Sequence, residues 1–223
     1  METPASLTYA IGDIHGSLPQ LRELLLRCEH HAAGRSIVFV FLGDYIDRGP
    51  DSAGVIRALM DLQSRRQHRV IALKGNHEAL ALDVVDRTSP AAFWLTQGGD
   101  ATLASYGVQS AASVPGDHVE WLRSLPLRYD DGRRFFVHAG IDPRKPLDAQ
   151  SERDLLWIRE PFLSDTRSYG RLIVHGHTPQ SSGTPDLRDN RLNIDTGAVF
   201  GGPLTAAVFA DAQTKPIGFL QAG

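Results

Sequence analysis

The chain has a single cysteine, Cys28, in 223 residues. One thiol excludes an intramolecular disulfide and any thiolate-rich zinc site. Cys28 stands in an apolar helical stretch, where a small packed residue is expected rather than a nucleophile. Long apolar runs are missing as well, and none approaches the roughly 18 residues of a membrane-spanning helix. There is no basic excess: Lys+Arg number 23 against 26 Asp+Glu, a formal net charge of −3. That balance argues against a non-specific nucleic-acid or membrane binder. The opening residues, METPASLTYAIGD, hold no basic segment followed by an apolar core. No export signal is therefore expected, and the expected location is cytoplasmic. Low-complexity tracts, internal repeats and evident linkers are also absent. With 42% hydrophobic and 22% charged residues, one domain over residues 1–223 is the expectation.

What is present is a series of short apolar, β-rich runs, each closed by a polar cluster. Leu7 to Ile11 ends at GDIHG and Ile37 to Leu42 at GDYIDRG. Val70 to Leu73 leads into GNHE, Phe135 to Val137 into HAG, and Leu172 to Val174 into HGHTP. Leu192 to Ile194 runs into DTGAVFGG, and Thr205 to Phe209 reads as a last strand. Helical periodicity fills Leu18 to Cys28, Ser52 to Arg65 (with Asp51 as N-cap) and Glu78 to Asp86. Such alternation predicts an α/β fold with parallel pairing in its first half. Less helix separates the later strands, so a mixed sheet or a two-sheet sandwich is expected rather than a doubly wound sheet. The aromatic and Gly-rich pieces between Ser89 and Leu127 predict a small helical cap beside the strand ends.

Polar clusters at strand C-termini are where α/β folds place ligands. Here they supply Asp13, His15, Asp44, Asn76, His138 and His177, all oxygen or nitrogen donors suited to divalent metals. Asp13 and His15 are two apart, so on an extended segment both would point the same way. The two carboxylate oxygens of Asp44 could bridge two metals. Any one cluster is weak alone: GDxHG could be a turn with a capping Asp, and HAG says almost nothing. Their order, each at a strand end, is what carries weight. His30, His31, His68 and His118 fall in polar or helix-terminal stretches and are expected to be solvated. Asp195 could orient a ligating histidine or simply close a turn.

GDIHG, GDYIDRG, GNHE, HAG and HGHTP resemble the ordered motifs of the phosphoprotein phosphatase branch of the metallophosphoesterases. Within it they are similar to the compact bacterial and bacteriophage-lambda type of serine/threonine phosphatase. The resemblance runs from about Tyr9 to Asp211 and includes the looser LLWIRE, NIDTGAVFGG and WLTQGG segments. It implies a β-sandwich of mixed sheets flanked by helices. It also implies that Asp13 and His15 hold a first metal, that Asp44 bridges, and that Asn76, His138 and His177 hold a second. His77 resembles the family's general acid, Asp47 the carboxylate that orients it, and Arg48 and Arg159 the arginines that grip phosphate. In HGHTP the family's ligand is the histidine after the glycine, which leaves His175 to a supporting or packing role. The one departure is length, since the chain lacks the C-terminal extension of larger eukaryotic relatives.

The implied chemistry is in-line attack by a metal-bridging hydroxide between two metals about 3.5–4 Å apart, with His77 protonating the leaving group. Two divalent cations outweigh Asp13, Asp44 and a hydroxide even before Arg48 and Arg159 are counted. Such a pocket suits a phosphomonoester dianion. Donors without thiolate suit Mn2+, Fe, Zn2+ or Mg2+, imidazole makes Mg2+ the poorest fit, and the resemblance favours Mn2+. A phosphoprotein or phosphopeptide is the expected partner, with a dinucleoside polyphosphate as the alternative. A non-catalytic interaction module fits least, because His77, Asp47 and both arginines are all present. GDYIDRG and GNHE look more like the protein phosphatases; the dinucleoside tetraphosphatases tend to alter the position of Asp47 and to carry GNHD.

Overall fold

A computed structural model describes residues 6–223. Residues 1–5, which begin the stretch read as lacking an export signal, lie outside the described residues. In the first half, strands β1 (Leu7–Ile11), β2 (Ile37–Phe41) and β3 (Arg69–Ala72) alternate with helices α1 (Leu18–Ala32), α2 (Ser52–Ser64) and α3 (Asn76–Val85). Three helices follow: α4 (Ala91–Trp94), α5 (Asp100–Tyr106) and α6 (Gly116–Ser124). The second half contains β4 (Arg128–Asp130), β5 (Arg134–Val137), α7 (Glu152–Trp157), β6 (Leu172–His175), β7 (Asp186–Leu187), β8 (Arg191–Asn193), β9 (Leu204–Ala210) and β10 (Gly218–Ala222).

The strands form two five-stranded sheets, ordered β10-β9-β1-β2-β3 and β4-β5-β6-β8-β7. Both are mixed. The pairs β1–β2 and β2–β3 are parallel, as expected, while β9 runs antiparallel to β1. Strand side chains alternate faces, and here both faces are dry. Tyr9 and Ile11 of β1 and Phe39 and Phe41 of β2 pack outward against Leu21, Leu24 and Cys28 of α1 and Val55, Ile56 and Leu59 of α2. Ala10 and Val40 face the opposite way, toward Phe136, Val174, Leu192 and Phe209 in the layer between the sheets. Phe135, Val137 and Ile173 turn to the far side and meet Leu155 of α7 and Phe162. The result is helices, sheet, sheet and helix. Truncating Phe136 to alanine in the middle layer is a change that costs about 3–5 kcal/mol.

The register positions the loops. Ile11 pairs with Phe41 and Phe41 with Ala72, so the polar segments after β1, β2 and β3 start at one level. Phe136 pairs with Val174, which brings the segments after β5 and β6 to the same end.

Several boundaries differ from the sequence expectation. Helix α1 continues to Ala32, beyond Cys28, because Leu18, Leu21, Leu24, Cys28 and Ala32 form one buried stripe. Helix α3 begins at Asn76, so the Asn and His of GNHE occupy its first turn. Asp51 does cap α2, accepting the Gly54 N–H at 2.8 Å. Strands β4, β7 and β10 were not anticipated; two of them are three residues or fewer, too short for a periodic signal. The helical pieces between residues 89 and 127 pack on α2 and α3, and Trp94, Gly98 and Thr102 reach the loop after β2. Trp94, Ala111, Val119 and Leu122 share a core with Ala81 and Leu82 of α3.

Two of the histidines expected in solvent are not solvated. His118 is buried against the Tyr106 hydroxyl at 2.7 Å. The His68 side chain lies edge-on to Phe39, 3.5 Å from Glu29. Cys28 is buried, and burial pushes its thiol up to about 12, as befits a packing residue. Among the described residues no helix is long and apolar enough to cross a membrane.

Candidate active site

Loops from both sheets converge beside one pocket of about 630 Å3, lined by Asp44, Arg48, Asn76, His77, Gln97, Trp157, Arg159, His177 and Phe200 among others. At its floor, Asp44 is surrounded by imidazoles. Its Oδ2 lies 3.4 Å from His15 Nε2 and 3.9 Å from His77 Nε2, and its Oδ1 lies 3.5 Å from His138 Nε2. Two groups of donors share this carboxylate: His15, Asp44 and His77, and Asp44, His138 and His177. Asn76 Oδ1 stands between His138 Nε2 at 2.8 Å and His177 Nδ1 at 2.9 Å.

Backbone carbonyls fix the tautomers. His15 Nδ1 donates to Ile46 O at 2.7 Å and His138 Nδ1 to Leu42 O at 2.9 Å. Each Nε2 then carries a lone pair and lies within 3.5 Å of the Asp44 carboxylate. Burial pushes His15 and His177 down to about 3 and lowers His138, so all three are neutral, the form that binds metal. Lone pairs that converge without a proton between them repel unless a cation stands among them, so this donor set fits divalent metal. The guanidinium of Arg48, with Nη1 2.8 Å from His15 Nε2, stands against one of these lone pairs.

Local backbone strain is concentrated here. His15, Asp44, Asp47, Arg48 and His177 are non-glycine residues with φ between 45° and 73°. Each costs on the order of 1–3 kcal/mol and persists only where the surroundings over-determine it. One device is Glu78. Its Oε2 accepts the N–H groups of Asp44 at 2.9 Å and Gly75 at 2.8 Å, and its Oε1 that of Tyr45 at 2.8 Å. Burial, with the nearby Asp44 charge, raises this carboxyl to about 7.

Asp13 meets the turn after β6. The chain is left-handed at His15, not extended. Asp13 accepts the His177 N–H, at 3.2 Å to Oδ1 and 3.1 Å to Oδ2. It lies so close to Gly176 that a Cβ there would meet Oδ1 at 2.0 Å, which is why HGH needs its glycine. Burial, Asp195 and Asp44 all push the Asp13 carboxyl well above the usual range. The His77 ring lies edge-on beside that of His15, with ring centroids 4.7 Å apart.

His77 and Asp47 form a buried pair, Nδ1 to Oδ2 at 2.7 Å. Burial alone would lower the imidazole, but Asp44 and Asp47 outweigh it and raise its pKa. It is the one of these four rings whose pKa is raised, beside neighbours whose pKa values are lowered. Arg159 follows α7 and lines the pocket. Trp157 is 38% exposed and lines the pocket, as does Phe200 at 64%. Arg48 lies over the Phe200 ring, 5.6 Å from its centroid.

Among the residues left open, His175 is fully buried edge-on to Phe162, with Nδ1 3.1 Å from Gly176 O. It is a packing residue. Asp195 accepts the Gly197 N–H at 3.1 Å and closes a turn. Sequence reasoning missed Trp94 and Thr102, whose side chains donate to Asp47 at 2.9 and 2.7 Å. The WLTQGG motif was the available signal, though nothing in it says where the indole points.

Comparison with known proteins agrees with this geometry. A family model described as calcineurin-like phosphoesterase matches residues 7–205. Serine/threonine-protein phosphatase 1 of Salmonella typhimurium is 33% identical over 208 residues, covering 89% of this chain and 90% of that protein. The asymmetrical bis(5'-nucleosyl)-tetraphosphatase PrpE of Anoxybacillus flavithermus is 29% identical over 235 residues, covering 93% and 92%. Among solved structures, a candidate diadenosine tetraphosphatase superposes with a TM-score of 0.72 at 26% identity, covering 100% of this chain and 95% of that one.

Proposed function

The chain belongs to the calcineurin-like phosphoesterases, and from that membership we propose that it is a metal-dependent phosphomonoesterase acting on phosphoserine and phosphothreonine in proteins. The observation that carries this reading is the buried His77–Asp47 pair at 2.7 Å, opening onto the pocket beside Asp44. An acid held ready for a leaving group matters most when that group leaves poorly. A serine or threonine alkoxide is such a group; a phenolate or a nucleotide phosphate is not. General acid catalysis contributes roughly 10²–10⁴-fold where it is needed.

In this reading Asp13, His15 and Asp44 hold one divalent ion, and Asp44, Asn76, His138 and His177 hold the other. Neutral imidazoles with carboxylate and amide oxygens suit Mn2+, with Fe or Zn2+ as alternatives. When bound, the pair of ions supplies Lewis-acid polarisation of the phosphoryl oxygens and a water acidic enough to attack at neutral pH. The protein's own side chains do the rest. Arg48 and Arg159 grip the equatorial phosphoryl oxygens and set the ester in line. The proton on His77 Nε2 passes to the departing oxygen, while Asp47, accepting from Nδ1, keeps the ring aimed. Glu78 holds the backbone of Asp44 in its left-handed turn, so that both carboxylate oxygens face the donors.

A second reading has its own support. Trp157 and Phe200 give the pocket two exposed aromatic walls, which suit a nucleobase, and PrpE is a tetraphosphatase. Turnover of phosphoserine peptide, phosphotyrosine peptide and diadenosine tetraphosphate, measured side by side with Mn2+, separates the two. The protein-phosphatase reading requires the phosphoserine peptide to have the highest kcat/KM. A preference of tenfold or more for diadenosine tetraphosphate would replace it with the second.

A further inference from the structure

We infer that residues 94–102 are a positioning element for the acid and for the phosphate clamp, with Trp94 and Thr102 as positioning residues for His77 acting through Asp47. The inference rests on the proposed role of His77. Asp47 and Arg48 are consecutive non-glycine residues in left-handed backbone, with φ of 73° and 68°. Two such residues in a row need support from outside their own turn.

That support comes largely from one segment. The Thr102 hydroxyl donates to Asp47 Oδ1 at 2.7 Å and accepts the Asp47 backbone N–H at 2.8 Å. Ser52 Oγ, 3.0 Å from that N–H and 3.0 Å from the Thr102 hydroxyl, closes the cluster. The Trp94 indole N–H donates to Asp47 Oδ2 at 2.9 Å, the same oxygen that faces His77 Nδ1. Both carboxylate oxygens are therefore fixed from the far side, and one arc remains for the imidazole. Gly98 O accepts the Arg48 N–H at 3.0 Å. Only glycine serves at that position, since its φ is +101° and a Cβ would meet Arg48 N at 2.6 Å.

Asp47, Trp94 and Thr102 are 0%, 2% and 3% exposed, so water cannot replace a lost donor easily. A buried charged acceptor with one donor removed turns toward those that remain. For Asp47 that turn moves the oxygen that orients His77. A purely packing role for Trp94 and Thr102 would instead affect every substrate alike.

The test compares Trp94→Phe and Thr102→Val with His77→Asn and the parent, on a phosphoserine peptide and on p-nitrophenyl phosphate. Nitrophenolate leaves without a proton, so it reports everything except the acid. The expected result is a kcat about tenfold lower on the peptide, part of the roughly 10²–10⁴-fold that an acid supplies, with p-nitrophenyl phosphate within about twofold. Thr102→Ser, which keeps the hydroxyl, should restore the parent ratio. In metal-free protein the downfield proton resonance of His77 Nδ1–H should move in Trp94→Phe and Thr102→Val and stay in place in Thr102→Ser. Equal losses on both substrates, or none on either, would overturn the inference. Selective loss in His77→Asn without it in the other two variants overturns the inference alone; equal losses in His77→Asn overturn the acid reading and the inference with it.

Discussion

Glu78 Oε2 accepts the backbone N–H of Asp44 at 2.9 Å, so the last residue of GNHE holds the turn that carries the central carboxylate of the site. The same side chain also takes the N–H groups of Gly75 and Tyr45, tying the start of α3 to the loop after β2. Reach is essential to this arrangement, because four N–H groups from two segments, those of Asp44, Tyr45, Ile46 and Gly75, converge on one carboxylate.

Glu78→Asp keeps the charge and shortens the reach by one methylene. At least one buried N–H should then lose its acceptor, a change costing about 1–3 kcal/mol. The unfolding midpoint in urea should fall at unchanged m-value, and divalent-metal affinity should fall with it as Asp44 loosens. A variant matching the parent in both would mean that Glu78 is replaceable as a clamp.

Metal stoichiometry tests the shared carboxylate. The parent should bind two divalent ions per chain, chelation should abolish activity, and Mn2+ should restore it. Asp44→Asn should weaken both sites together, because both donor groups use Asp44. Asp13→Asn should weaken one. Equilibrium dialysis with elemental analysis decides, and a parent with one ion or none sinks the two-metal reading. If Asp13→Asn keeps both ions and His77→Asn loses one, His77 is a ligand and Asp13 is not.

His175 predicts a pH dependence of stability. Burial first, then Arg191, pushes its pKa from 6.5 down to about 3. Between those values the unfolded chain binds a proton that the folded chain does not. Stability is therefore full above about pH 6.5 and is lost as pH falls toward 3, by up to about 1.4 kcal/mol per pH unit. His15 and His177, also pushed to about 3 by burial, steepen the slope. In metal-free protein, His175→Asn should lose less stability between pH 8 and pH 5 than the parent does, by about 2 kcal/mol. Parallel curves from urea melts would show that His175 takes up its proton without unfolding.

Much of this was legible before any coordinates, for an identifiable reason. β1 and β2 carry apolar residues on both faces because each packs between two layers, and such runs followed by a glycine and an acid stand out. The donors sit at strand ends, where order along the chain becomes proximity in space. Direction was not legible. Nothing in GDIHG says that His15 takes a left-handed φ of 45°, or that Asp13 accepts the His177 N–H. Nor does WLTQGG reveal that its indole points at Asp47, because that contact spans 47 residues of sequence and depends on how α4 packs on α3.

Arg159 is the second arginine of the proposed phosphate clamp. It stands in a loose motif, LLWIRE, and its side chain is exposed where a surface arginine would also be exposed. Two features favour a role at the site. Helix α7 ends at Trp157, which delivers residue 159 to the pocket that Arg48 also lines. The guanidinium is also near enough to add to the lowering of the His177 pKa, after burial and His138. Arg159→Lys keeps the charge and loses the planar fork that spans two phosphoryl oxygens. Losing one charge-assisted hydrogen bond costs about 1.5–3 kcal/mol, so kcat/KM for phosphopeptide should fall by roughly 10- to 100-fold. Inhibition by phosphate and vanadate should weaken in parallel, since both would use the same arginine. If Arg159→Lys and Arg159→Ala both match the parent in kinetics and in phosphate affinity, Arg159 belongs to the surface. Arg48, braced by Gly98 and stacked on Phe200, would then bear the phosphate alone.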